Sequence, residues 1–362
     1  MDFKFTPEQE MLREGLSRYF RQNYSFEQRR RGLSSGDDTG TWQHLADFGL
    51  LALPLTEAAG GMSGTVTDLV AVADLFGRHL VRQPFVLKAV ITGSMLSLAV
   101  DRPHVAALLK EMAAGTATAA FAHEEGIGTA RLDQLTTTLT AGNLVGTKRL
   151  VAGAHDASAF VVSARTDTGI AILLVGAEAP GVSLTRYRTI DGHDSADVKF
   201  EGVEVANDSV ISLDKATIET LIGDSIIVLC AEAVGAMEAL LEQTSAFAAV
   251  RKQFGQPIGT FQAISHRLAD MKIACVKARA TLLYTSALAQ SGKAQSRDVS
   301  LLKAQVGRLG RSVGESAIQI HGGVGTTDEL AIGHFLKRIL AIDMQFGSSE
   351  FHFQQVGRVL SV

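Results

Sequence analysis

Three short stretches in the second half of the chain hold residues whose types and spacing could do chemistry. "RKQFGQPIGTFQAISHRLADM", Arg251 to Met271, ends one helical pattern in two cations, turns at Gly255 and Pro257, and restarts beyond Gly259. Cations in a last helical turn suit the helix dipole. Capping does not account for Arg251, Gln253, Phe254 and Gln262 at one corner, where they supply a phosphate partner, hydrogen-bonding amides and an aromatic face. "QIHGGVGTTDE", Gln319 to Glu329, ends another helical pattern in adjacent glycines, Gly322 and Gly323. One glycine is enough for a C-cap; a second, flanked by Gln319, fits backbone approached closely by a ligand. In the third stretch, "QFGSSEFHFQQVGR", a glycine and two hydroxyl residues look like the mouth of a site. Phe346 stands there in place of an acid, and a phenyl ring cannot accept a proton.

Several chemistries find no support. The GGxG spacing follows a helix and is not the GxGxxG of a dinucleotide fold. None of the ten histidines is paired at i, i+4, so no metal pattern stands out, and there is no GxSxG elbow for a hydrolase. A net charge of −4 offers no basic field for nucleic acid or an anionic membrane. The lone basic run, Arg29 to Arg31, reads as a solvated helix end. Cys230 and Cys275 lie in apolar stretches and read as small buried hydrophobes in a reducing cytoplasm. The N-terminus "MDFKFTPEQEML" has no secretory pattern. "SIIVLCAEAVGAMEALL" is broken by Glu232 and Glu238, so a core helix is expected and not a membrane span.

The elements that must position these stretches fall into three textures. Residues 1–114 read as helical, opening on Thr6-Pro7-Glu8-Gln9, a hydroxyl cap with proline at the first position and glutamine three residues on. Residues 115–213 are short Val-, Thr- and Ile-rich runs between Gly, Asn and Asp turns, the spacing of a small antiparallel barrel or sandwich. Residues 214–362 are helical again, with long rods; Lys215 to Val250 alone would span roughly 54 Å. Long rods on short loops predict an antiparallel, four-helix-bundle-like domain with apolar surface for oligomerisation.

Taken together, "RKQFGQPIGTFQAISHRLADM" and "QIHGGVG", with "FGLLALPLTEAAGGM" and "DSADVKFEGVEV", resemble the acyl-CoA dehydrogenase family over nearly the whole chain. The resemblance implies FAD, an acyl-CoA substrate, and a homodimer or homotetramer whose cofactor is shared between subunits. It assigns Arg251, Gln253, Phe254, Gln262, Gln319, Gly322 and Gly323 to the pyrophosphate and adenosine half of an FAD lying mainly in a neighbouring subunit. It also implies α,β-dehydrogenation of the thioester by a carboxylate base.

Against that family the chain departs at the chemistry. Phe346 stands where relatives commonly carry the Glu base of Tyr-Glu-Gly-Thr, and Ser225 where others carry it on the first rod. Asp224 is one position off and reads as a surface acid; Glu350 and Glu124 are weaker alternatives. "FAHEEG" (121 to 126) and "KRLVAG" (148 to 153) replace the Thr and Trp-Ile-Thr that the family sets near the flavin ring. The resemblance narrows to the small, non-catalytic subunit of heteromeric bacterial enzymes of the pimeloyl-CoA or steroid side-chain type, with a homologous partner supplying the base. Two rivals stand beside it: a self-sufficient dehydrogenase with Asp224 as a displaced base, and a flavin-free scaffold.

Overall fold

The computed structural model describes residues 5–35, 40–126 and 131–360, with elements running helical, β, helical. Helix α1 (Pro7–Asn23) begins with a reciprocal capping box: the Gln9 amide donates to Thr6 Oγ1 at 3.3 Å and the Thr6 amide to Gln9 Oε1 at 2.9 Å. Then come α2 (Phe26–Ser35), α3 (Thr41–Asp47) and α4 (Val66–His79). A single π turn (Val86–Val90) leads into α5 (Ile91–Ser97), and α6 (Pro103–Ala113) follows.

Strands β1 (Ala119–Ala122), β2 (Thr138–Thr140), β3 (Asn143–Ala152), β4 (Ala159–Thr166), β5 (Gly169–Gly176), β6 (Val182–Arg188), β7 (Asp194–Glu204) and β8 (Val210–Ile211) form one sheet. Its order is β6-β7-β3-β2-β4-β5-β8, with β1 against β4. Pairing is antiparallel as the turn-rich spacing requires, except that β1 and β2 each run parallel to β4. Phe160, Val162, Leu173, Val198 and Phe200 fill the core of this layer.

The C-terminal rods are α7 (Lys215–Val250), α8 (Gln262–Gln290), α9 (Ser296–His321), α10 (Ala331–Met344) and α11 (Ser349–Leu360). Between α7 and α8 lies a small ribbon, β9 (Lys252–Gln253) with β10 (Gln256–Pro257). Helix α7 is long and apolar enough to cross a membrane, but 78% of its most apolar window is buried inside the protein. Cys230 and Cys275 are both buried and unpaired, and burial pushes both thiols up to about 12.

Contacts group the chain into two compact units. One holds α1, α2, Val66–Arg82 and everything from Ile226 onward; the other holds α3 and Gln83–Ser225. Texture changes near residues 114 and 213, and the compact units cut across those points. In the first unit α4 crosses α7 on glycines: a Cβ on Gly77 would lie 1.8 Å from the Glu232 carbonyl oxygen, and one on Gly235 2.0 Å from that of Asp74. Beside the crossing, the buried Asp74 meets Arg13 at 2.9 Å, Arg78 at 3.5 Å and Arg279. Arg29 corrects the reading of the basic run as solvated. It is 2% exposed, donates to the Leu80 carbonyl, and lies 2.9 Å from His334 Nδ1.

Candidate cofactor corner and base turn

Beyond α7 the chain folds straight back, with Gln253 paired to Gln256 and Lys252 to Pro257. The two central residues, Phe254 and Gly255, have φ of 53° and 82°, the left-handed pair of a type I′ turn. Phenylalanine is unfavourable there, and burial does not compensate it. Its ring is 93% exposed and lies edge-to-face with Phe261, at 6.1 Å between centroids. Arg251, Gln253 and Gln262 are exposed too. None of their side chains has an ion pair or hydrogen bond among the described residues.

The end of α9 is brought alongside the end of α7 by His321, whose ring stacks on Phe247 at 4.2 Å. Its Nδ1–H donates to the Ala317 carbonyl at 2.9 Å, which fixes the ring. Gly322 follows at φ 65°, ψ −149°, a conformation open essentially to glycine alone. Gly323 is different: its φ is not left-handed, and a Cβ there would meet nothing within 4 Å. The chain's own packing therefore does not demand a glycine at 323. Helices α7 and α9 present their partly negative C-terminal ends here, while α8 begins at Gln262 with its partly positive end, so Arg251, Lys252 and the start of α8 are what this corner offers an anion.

The stretch around Phe346 is the turn between α10 and α11. Phe346 and Gly347 repeat the left-handed pair, φ 53° and 93°. Here the ring is buried, at 4% exposure. Asp343 caps α11, accepting from the Ser349 amide and hydroxyl at 3.1 Å each. The Lys303 ammonium donates to the Ile342 carbonyl. His352 Nε2 lies 2.8 Å from the Phe346 carbonyl oxygen and Nδ1 3.1 Å from Ser300 Oγ. A carbonyl only accepts, so the proton is assigned to Nε2, and Nδ1 accepts the Ser300 hydroxyl. Burial holds this imidazole down at about 4, so it is neutral at physiological pH. A buried network thus fixes the peptide of residue 346, and the side chain it presents cannot take a proton. Glu350 points away, exposed, 3.1 Å from Ser349 Oγ.

Ser225 is closed off as well: it is 1% exposed and its hydroxyl donates to the Leu221 carbonyl at 2.8 Å. Its neighbour Asp224 is not the fully solvated acid that the sequence suggests. It is half-buried, and burial pushes its carboxyl up to about 6. In the β layer the implied ring-side positions are occupied by a different network. Lys148, wholly buried, donates to Glu125 at 2.8 Å, to the His123 carbonyl at 3.1 Å and to Ser163 Oγ at 3.3 Å. Burial alone would raise the Glu125 carboxyl, but the Lys148 ammonium holds it at about 2. Leu150 sits at φ 55° with its N–H on the Tyr187 hydroxyl at 3.0 Å. Glu124 is buried at 8% exposure, and its carbonyl accepts the Arg149 amide.

FAD, the group implied above, fits one half of these residues. Among the described residues the Arg251 guanidinium and the exposed amides of Gln253, Gln262 and Gln319 have no side-chain partner, and with an exposed ring and a glycine that the chain's own packing does not demand they suit an adenosine diphosphate moiety. At the implied ring side no hydroxyl or indole stands at 150 or 152; Leu150 and Ala152 are there instead. Sequence reasoning missed His352, Ser300, Lys303 and Asp343 altogether. The polar residues inside the otherwise apolar faces of α9 and α11 were the signal available.

Comparison with known proteins follows the same outline. Residues 6–116 match the family domain described as acyl-CoA dehydrogenase, N-terminal domain, and residues 216–361 the acyl-CoA dehydrogenase, C-terminal domain. Acyl-CoA dehydrogenase FadE27 of Mycobacterium tuberculosis is 27% identical over 348 residues, covering 90% of this chain and 88% of the relative. Among solved structures, the ChsE4-ChsE5 complex from Mycobacterium tuberculosis superposes with a TM-score of 0.91 at 25% identity, covering 100% of this chain and 99% of that one. The Tcur3481-Tcur3483 steroid ACAD gives 0.87 at 25% identity, with 98% of each chain covered.

Proposed function

This chain belongs to the acyl-CoA dehydrogenase family, and from that premise we propose that it is the base-lacking subunit of a heteromeric FAD-dependent acyl-CoA dehydrogenase. A carboxylate of the partner would take the α proton of the thioester as the β hydrogen leaves as hydride. FAD, when bound, accepts that hydride. This chain's contribution is to hold: Arg251 on the pyrophosphate, Gln253, Gln262 and Gln319 on polar edges, Phe254 against a ring face, and the open backbone at Gly322 and Gly323 in close approach. The observation that carries the proposal is an asymmetry. The corner that faces outward keeps its ligand-ready residues, while the turn that would carry the base is fully built around a phenylalanine.

Two-component relatives support the reading, since the ChsE4-ChsE5 assembly is a complex of two proteins. A ring-bearing acyl-CoA is the substrate class we favour, by analogy with the steroid ACAD. The test is to purify the chain with a homologous dehydrogenase chain from the same genome and count flavin. One FAD per pair, and none retained by this chain alone, is expected. Two FAD per pair, or a fully flavinylated active homomer, would sink the idea.

A second reading starts from the placement of Asp224: it is half-buried, and burial alone pushes its carboxyl up to about 6, toward the range useful for proton transfer near neutrality. If this chain alone turns over an acyl-CoA, and Asp224→Asn removes that turnover while leaving the flavin spectrum intact, Asp224 is the base.

A further inference from the structure

A second polar site lies in the unit that holds the sheet, centred on Lys88. This residue sits in the π turn Val86–Val90, and single π turns of this kind recur at functional positions. Its side chain is 4% exposed and runs beneath Gly153, where a Cβ would lie 2.4 Å from Lys88 Cδ. With φ 69°, Gly153 is suited to glycine on backbone grounds as well. The ammonium ends 2.8 Å from both carboxylate oxygens of Asp156 and 5.0 Å from the centre of the Trp42 ring.

Burial is very uneven across this pair. The cation is enclosed, while the Asp156 side chain is 68% exposed. The indole Nε1 of Trp42 is buried and has no hydrogen-bond partner among the described residues. The indole nitrogen can only donate, and a buried donor left unmade is costly.

We propose that Lys88 and Trp42 form a binding site for the carboxylate of a small ligand, with Asp156 as the displaceable counterion that fills it otherwise. The site's shape is read from its present occupant: both oxygens of one carboxylate already lie on Nζ. An incoming carboxylate keeps that pairing, adds the idle indole N–H and releases Asp156 to water, where its exposure shows it can turn. The site stands apart from the base and from FAD.

Trp42 is the chain's single tryptophan, so its emission reports on this site alone. The purified full-length chain would be titrated with acetate, glutarate and inorganic phosphate at constant ionic strength. Saturable change with the carboxylates is expected, absent in Lys88→Gln and tightened roughly tenfold in Asp156→Asn, which removes the competing carboxylate. Should Lys88→Gln fail to fold, Asp156→Asn and calorimetry on Trp42→Phe decide: the first must bind more tightly and the second more weakly. Equal titrations in wild type and variants, an unchanged affinity in Asp156→Asn, or phosphate acting as well as carboxylate would overturn the assignment.

Discussion

At Gly323 the proposed ligand contact can be told apart from a folding requirement. Nothing lies within 4 Å of a Cβ built there, so Gly323→Ala is expected to leave the urea midpoint within about 0.5 kcal/mol of wild type. Flavin retention by the assembled pair should fall, measured by equilibrium dialysis; equal loss of both would mean the glycine serves the fold. Arg251→Gln removes a guanidinium that has no ion pair or hydrogen bond among the described residues, so FAD affinity should drop by roughly 10- to 100-fold, a charge-assisted bond's share. These residues were legible in the sequence as a cluster to be tested, because capping explains the cations and one glycine but not the glutamines, the exposed aromatic or the second glycine. The supports of the base turn were not, since Ser300 and His352 meet across 52 positions of chain and no local pattern encodes that meeting. Arg29 was misread for the same reason: its partners Leu80 and His334 lie far away in sequence.

Helices were the most legible elements, and their ends followed local chemistry. The Thr6–Gln9 box and the uninterrupted Lys215–Val250 rod stand where the sequence put them. The π turn at Val86–Val90 and the parallel pairing of β1 and β2 with β4 could not be read, because each depends on contacts outside its own segment. At this scale Gly77 is the critical point of the α4–α7 crossing. Gly77→Ala drives a methyl into the Glu232 backbone and is expected to cost about 1–3 kcal/mol, seen as a lower urea midpoint at unchanged slope. The 346 turn offers a finer comparison. His352→Gln keeps an N–H near the Phe346 carbonyl, whereas His352→Leu removes that donor and should be the less stable by about 1–2 kcal/mol; equal midpoints would show that the bond does not hold the turn.

For the whole molecule, several histidines are folded in their neutral form. Burial holds His79 and His352 at about 4 and His123 at about 3, against an ordinary 6.5. Between those values and 6.5 the unfolded chain binds more protons than the folded one, so stability is full above about pH 6.5 and is lost as pH falls toward 4. The two most buried rings, His123 and His352, should together account for a loss on the order of a few kcal/mol; urea midpoints that stay flat from pH 7 to 5 would contradict this. The order of textures and the family were legible across the chain, while the division into two interleaved compact units was not, because it rests on which helices pack and not on their order. The most direct measurement for the central claim is anaerobic titration with ring-bearing acyl-CoAs, following flavin absorbance in this chain alone, its partner alone and the pair. Bleaching only in the pair, unchanged by Asp224→Asn, is the result this account predicts. Bleaching by this chain alone would contradict it and place the base within these 362 residues.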